Sequence, residues 1–196
     1  EDGNFRAGLK QGDIEIAARQ AGADFLGCDV DEVGYNCSST QNNYNLAANI
    51  SKEFKEGDEI IVTQIDHQCN IQPWRSLARY GCVIKEVRLD PETQQLDFDD
   101  YMSKLSDKTK LVAVNWAANG IGTITDVKKF IDEAHKVGAF TVIDAVHYAA
   151  HLPIDVKAID TDCLVCSPYK WFGPHMGLIY LKKEHLDRLE INNAGA

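Results

Sequence analysis

Short apolar or β-branched runs alternate along this chain with windows in which apolar residues recur every three to four positions. The runs fall at residues 33–37, 59–63, 82–89, 110–116, 139–143, 162–167 and 177–181. Their length and β-branched content predict strands. The clearest helical window is 126–137, where Val127, Phe130, Ile131, Ala134 and Val137 share one face and Lys128, Lys129, Asp132, Glu133 and Lys136 the other. Further helices are predicted over 12–27, 41–55, 72–80, 98–105 and 184–190, with Gly81 and Gly138 placed as helix-terminating glycines.

Strand–helix alternation predicts an α/β fold of three layers (α/β/α), with a mainly parallel sheet of about seven strands. Only about nine residues separate the last two runs, too few for a crossover helix. The final strand is therefore expected to run antiparallel to its predecessor. With no repeat and no internal linker, residues 1–196 read as one domain.

Composition narrows the functional classes. Twenty Lys+Arg stand against 30 Asp+Glu, a formal charge of -10. Such an acidic chain is a poor partner for nucleic acid or an anionic membrane surface. A hydrophobic content of 44% suits a packed core, and no apolar run approaches the ~20 residues of a membrane span. Residues 1–6 carry neither the basic nor the apolar stretch of a signal peptide. The six cysteines lie mostly in apolar runs, so they are expected to be reduced and largely buried, and the protein cytoplasmic. Cys163 and Cys166 have a redox or metal spacing, but on a strand they point to opposite faces; no metal site is expected. The missing initiator Met and the ending at Ala196 suggest a piece of a longer polypeptide.

In open α/β sheets ligands collect at the carboxyl ends of the parallel strands. Those ends carry Ser38-Ser39-Thr40-Gln41, Asp66-His67-Gln68-Cys69-Asn70, Asn119-Gly120, Asp144-Ala145-Val146-His147, and Ser167 leading to Tyr169-Lys170-Trp171-Phe172. A hydroxyl-rich turn opening a helix suits a phosphate, although it equally serves as a plain N-cap. A lysine among three aromatic residues is expected to be desolvated and thereby nucleophilic. Phosphate cradle, imidazole, carboxylate and lysine together are what pyridoxal 5'-phosphate (PLP) requires.

These stretches, above all 144–151 and Ser167-Pro168-Tyr169-Lys170-Trp171-Phe172-Gly173-Pro174-His175-Met176-Gly177, resemble the class V aminotransferase/cysteine desulfurase-like group of fold-type I PLP enzymes. The resemblance covers nearly the whole chain and implies a PLP-binding large domain. It implies that Lys170 joins the cofactor covalently and later moves the substrate's Cα proton. Asp144 would pair with the pyridine nitrogen, His67 stack on the ring, His147 approach its phenolic oxygen, and Asn119 lie near that oxygen or the substrate carboxylate. Ser39, Thr40, Gln41 and Ser167 would bind the phosphate, the first three largely through backbone N–H groups.

By the same resemblance the protein acts on a small amino acid, with cysteine desulfurase-like carbon–sulfur cleavage ahead of aminotransfer or epimerisation. A homodimer and a sulfur-acceptor protein are implied partners. A non-catalytic binding module is the alternative outside enzymology. Tyr169 and His147 depart from the histidine and glutamine that many desulfurases place there. Neither a substrate-carboxylate arginine nor a sulfur-accepting cysteine is found at the family's positions. The 196 residues are therefore expected to turn over cysteine poorly by themselves.

Overall fold

The computed structural model describes residues 6–186 and 189, with side chains from residue 10. Seven strands form one sheet: β1 (Val33–Asn36), β2 (Glu59–Thr63), β3 (Val83–Val87), β4 (Thr109–Asn115), β5 (Phe140–Asp144), β6 (Cys163–Cys166) and β7 (Gly177–Leu181). Their order is β1-β7-β6-β5-β4-β2-β3. The pairings β2–β3, β2–β4, β4–β5 and β5–β6 are parallel, while β7 is antiparallel to both β6 and β1. The antiparallel final strand is as expected. Its insertion between β6 and the edge strand β1 was not legible from the runs themselves.

The helices are α1 (Arg6–Leu26), α2 (Ser39–Ile50), α3 (Gln68–Arg75), α4 (Phe98–Lys104), α5 (Val127–Lys136), α6 (Val156–Ile159) and α7 (Lys183–Leu186). Alternation along each strand divides the core into two layers. Ile61, Val112, Val114, Ile143 and Leu164 pack with Ala23 and Leu26 of α1 and Val127, Phe130, Ile131 and Ala134 of α5. Ile60, Val62, Leu111, Ala113 and Val142 pack on the other face with Leu46, Ala47 and Ile50 of α2 and Ile71 and Trp74 of α3. Cys163 and Cys166 belong to opposite layers, as a period of two requires.

Several boundaries differ from the sequence expectation, each for a local reason. Helix α2 opens at Ser39, two residues early, because Ser38 caps it by accepting from Gln41 N at 3.1 Å. It ends at Ile50, where Ser51 folds its hydroxyl onto Ala48 O. Helix α3 begins at Gln68, capped by His67, and runs through Pro73. Proline has no N–H to give the carbonyl four residues back. That carbonyl, on Cys69, accepts instead from Asn43 Nδ2 at 2.9 Å, a side chain of α2. One hydrogen bond thus repairs α3 and ties it to α2. Residues 76–80 then continue as a 3-10 turn closed by Gly81 at φ 87°. The helix expected over 184–190 is observed as α7; its later part falls outside the described residues.

Candidate active site

The sheet directs the carboxyl ends of β2, β4, β5 and β6 to one edge, where a cleft of about 110 Å3 opens. Its lining includes Ser39, Thr40, His67, Asn119, Asp144, His147 and Lys170, seven of the residues expected from the sequence. Ser167 sits directly behind Ser39, fully buried, with the two hydroxyl oxygens 2.9 Å apart. Gln41 is not part of the lining: its N–H is taken by Ser38 Oγ and its amide donates to Asn45. The backbone donors α2 offers the cleft are therefore those of Ser39 and Thr40. The expected contribution from Gln41 is corrected by the cap.

Each functional side chain is held by local geometry. Asp144 ends β5; its Oδ1 accepts from Val146 N at 2.8 Å and its Oδ2 lies 3.4 Å from the Cys69 thiol, which donates to it. His67 is exposed toward solvent, and its Nδ1 accepts from Cys69 N at 3.1 Å, so in the neutral ring the proton sits on Nε2. His147 packs edge-on against His151 at 5.0 Å. Lys170 rides a 3-10 turn, Pro168–Trp171, closed by Phe172 in a left-handed conformation (φ 67°) that a bulky residue rarely adopts.

The expected desolvation of Lys170 is not observed. Lys170 is exposed, and its three aromatic neighbours do not enclose it. Trp171 stacks on Phe25 at 5.0 Å, Tyr169 stacks on His175 at 4.8 Å, and Phe172 projects wholly into solvent. The ammonium lies 5.5 Å from the Tyr169 ring centre, a cation–π contact at the surface. Adjacency in sequence did not become enclosure because a 3-10 turn sends successive side chains in different directions.

Other residues of the cleft were not singled out individually from sequence. Asn115, the last residue of β4 and register partner of Asp144, lines it, and its buried Oδ1 has no hydrogen-bond partner among the described residues. Asp66 lines it too, accepting from His67 N at 2.7 Å and Asn70 Nδ2 at 2.7 Å. Counting strand ends one residue deeper locates Asn115 and its parallel neighbour. Cys69 is buried, as expected of a free cysteine, but its contact with Asp144 required the fold.

Electrostatics set these groups apart. Burial holds the Asp66 carboxyl well above its ordinary range, and the nearby charge of Asp144 adds to this. Asp144 is likewise raised, chiefly by burial, which the Val146 N–H, the Cys69 thiol and the two imidazoles only partly offset. Burial also pushes the Cys69 thiol up, with the Asp144 charge next. This cysteine is kept protonated and is no nucleophile.

The family model for Aminotransferase class-V matches residues 6–196. The chain belongs to this family. It is 39% identical to a cysteine desulfurase from Synechococcus elongatus, over 89% of this chain and 28% of that protein. It is 38% identical to the aminotransferase-like protein FGM3 of Gibberella zeae, over 85% of this chain and 42% of that one. Among solved structures, the apo cysteine desulfurase from Thermococcus onnurineus NA1 superposes with a TM-score of 0.89 at 28% identity, covering 95% of this chain and 47% of that one. The chain thus spans between about a quarter and a half of the length of these relatives.

Proposed function

We propose that this chain is the cofactor-binding part of a PLP-dependent enzyme that acts on a small amino acid, with cysteine desulfurase-like carbon–sulfur cleavage as its reaction. The observation that carries the reading is Asp144: a buried carboxylate, short of partners, facing a cleft that also holds Lys170 and the start of α2. The residues fit PLP. A phosphate finds the Ser39 and Thr40 N–H groups, the Ser39 hydroxyl with Ser167 behind it, and the positive end of a 12-residue helix. The buried, unpartnered Asn115 Oδ1 and the underpartnered Asp144 Oδ2 mark polar ground that a heterocycle would occupy.

When bound, PLP supplies an electron-accepting ring that stabilises a carbanion at the substrate's Cα. The chain supplies the rest. Asp144 would hold a proton on the pyridine nitrogen, a pairing that would offset the cost of burying its charge. Lys170, on the cleft wall, would hold the cofactor through Nζ and would take the substrate's Cα proton. His67, held by its cap hydrogen bond, presents a ring face for stacking. His147, also in the cleft lining, would approach the phenolic oxygen, and Asn119 that oxygen or the substrate carboxylate. Ser39, Thr40 and Ser167 hold the phosphate.

Further parts of the proposal rest on the relatives. A homodimer is supported by the wholly exposed Phe172 beside the site and by the exposed Ile14 and Ile16 of α1. A sulfur-acceptor protein follows from a desulfurase reaction. A cytoplasmic location accords with the unpaired cysteines and with the lack, among the described residues, of any helix long and apolar enough to cross a membrane.

The test is to reconstitute the purified chain with PLP and record its visible spectrum. A lysine-linked cofactor band is expected, and Lys170→Ala should abolish it. Added cysteine should yield alanine and sulfide if the rest of the site is supplied, and far less from the 196 residues alone. Keto acid without sulfide would replace the desulfurase reading with aminotransfer, and no band at all would leave a binding module.

A further inference from the structure

At the opposite end of the sheet, away from the cleft, lies a second and larger cavity of about 550 Å3. On its wall two imidazoles converge on one carboxylate. Asp162, just before β6, has Oδ1 at 2.7 Å from His185 Nε2 and Oδ2 at 2.9 Å from His135 Nε2. His185 is in α7, and His135 in the last turn of α5. Glu184 Oε1 is 3.6 Å from His185 Nε2. The chemistry of the cleft uses none of these side chains.

We propose that Asp162, His185 and Glu184, with His135 holding the far oxygen of Asp162, form a binding site for a divalent transition metal of the zinc type. Ligand atoms around a tetrahedral zinc, with bonds of about 2.0–2.1 Å, lie about 3.3 Å apart. The Asp162–His185 and His185–Glu184 separations of 2.7 and 3.6 Å bracket that edge. One ligand oxygen from each of Asp162 and Glu184 and one nitrogen of His185 already fall within 4.8 Å of one another. An imidazole beside carboxylates favours zinc, nickel or copper over magnesium or calcium, which prefer all-oxygen shells.

The surroundings resemble those that hold metal ligands in place. Asp162 is fixed from behind by Thr141, whose N–H and hydroxyl both donate to Oδ2 at 2.8 Å. His135 Nε2 holds the same Oδ2 at 2.9 Å, an outer partner that orients the carboxylate. The cavity provides an entry path and room for water as a further ligand. The competing cation is Lys182, whose ammonium is 3.0 Å from Asp160 and 3.4 Å from Glu184. A bound metal would join β6 and α7, pinning the short helix after the last strand to the sheet.

The whole chain, stripped of metal, is titrated with Zn2+ by calorimetry and with Co2+ as a visible probe. One equivalent should bind, with the absorption of low-coordinate Co2+, and Zn2+ should raise the melting temperature. His185→Gln and His135→Gln should each weaken binding at least ~10-fold. Glu184→Gln, at an exposed position where the fold is not at stake, should weaken it several-fold, and Lys182→Ala should tighten it. The double variant His67→Asn/Cys69→Ala, in the other cleft, should bind as the parent does. Failure to bind below about 1 mM, indifference to both Glu184→Gln and His185→Gln, or loss of binding in the His67/Cys69 variant overturns the proposal.

Discussion

Asp144 and Asp162 stand on adjacent parallel strands, at opposite ends, and are almost equally buried at 4% and 5% exposure. Their carboxyls are nevertheless driven in opposite directions. Asp162 is held well below the ordinary range: burial opposes this, but hydrogen bonds from His135, His185 and the Thr141 backbone and hydroxyl overcome it. Asp144 receives one backbone N–H and a thiol, and burial prevails. A buried carboxylate with this many partners is stable in the fold as it stands. One left short of partners is energetically costly unless something else completes it, and the cleft beside Asp144 is where that completion would come from.

The sharpest way to break this contrast is to remove each carboxylate. Asp162→Ala leaves two imidazoles and the Thr141 donors without their acceptor, and should cost ~3–5 kcal/mol in urea denaturation. Asp144→Asn keeps an acceptor for Val146 N–H and removes a buried charge, and should leave the cofactor-free chain within about 1 kcal/mol of the parent. Equal losses would mean that partner count does not separate the two sites.

A second test presses on the framework of the cleft. Gly177 opens β7, and a Cβ there would sit on the backbone of Ser38 and Ser39 at the start of α2. Gly177→Ala should therefore cost roughly 1–3 kcal/mol. It should also weaken phosphate or PLP binding, because it displaces the N–H groups that face the cleft. Retained affinity in a destabilised variant would show that the α2 terminus does not hold the phosphate.

The smallest expected effect is in pH. Asp66 and Asp144 have folded-state carboxyls raised above their unfolded values. Their contribution to stability is full below the unfolded range and is lost as pH rises through the raised values. Lowering pH from 7 toward 5 should thus stabilise the cofactor-free chain by on the order of 1 kcal/mol. Asp162, lowered in the fold, contributes in the opposite sense: its stabilisation is present above about pH 4 and fades on further acidification. Asp144→Asn should flatten the upper limb and leave the lower one intact. Denaturant midpoints measured across pH give both limbs.

Much of this was legible along the chain. Strand runs, the strongly amphipathic α5 and the short β6–β7 connection are local patterns, and periodicity reports them directly. The strand-end residues Ser39, His67, Asn119, Asp144, His147 and Lys170 were found because a parallel sheet delivers all its carboxyl ends to one edge. The environment of Lys170 was misjudged because enclosure depends on where a turn sends each side chain, not on which residues are neighbours. Gln41 was assigned to the phosphate because a cap and an anion compete for the same N–H groups, and sequence does not reveal which one has them.

Sequence alone thus determined the architecture, the antiparallel return of the last strand and the edge at which chemistry collects, because each follows from short-range periodicity and chain reach. Only the tertiary structure decided which buried groups are satisfied. It placed Asn43 on the carbonyl that Pro73 leaves open, the Cys69 thiol on Asp144, and His135 and His185 on Asp162 across separations of 27 and 23 residues. A hydrogen-bond partner is a matter of a few ångströms in space, and no period along the chain encodes it.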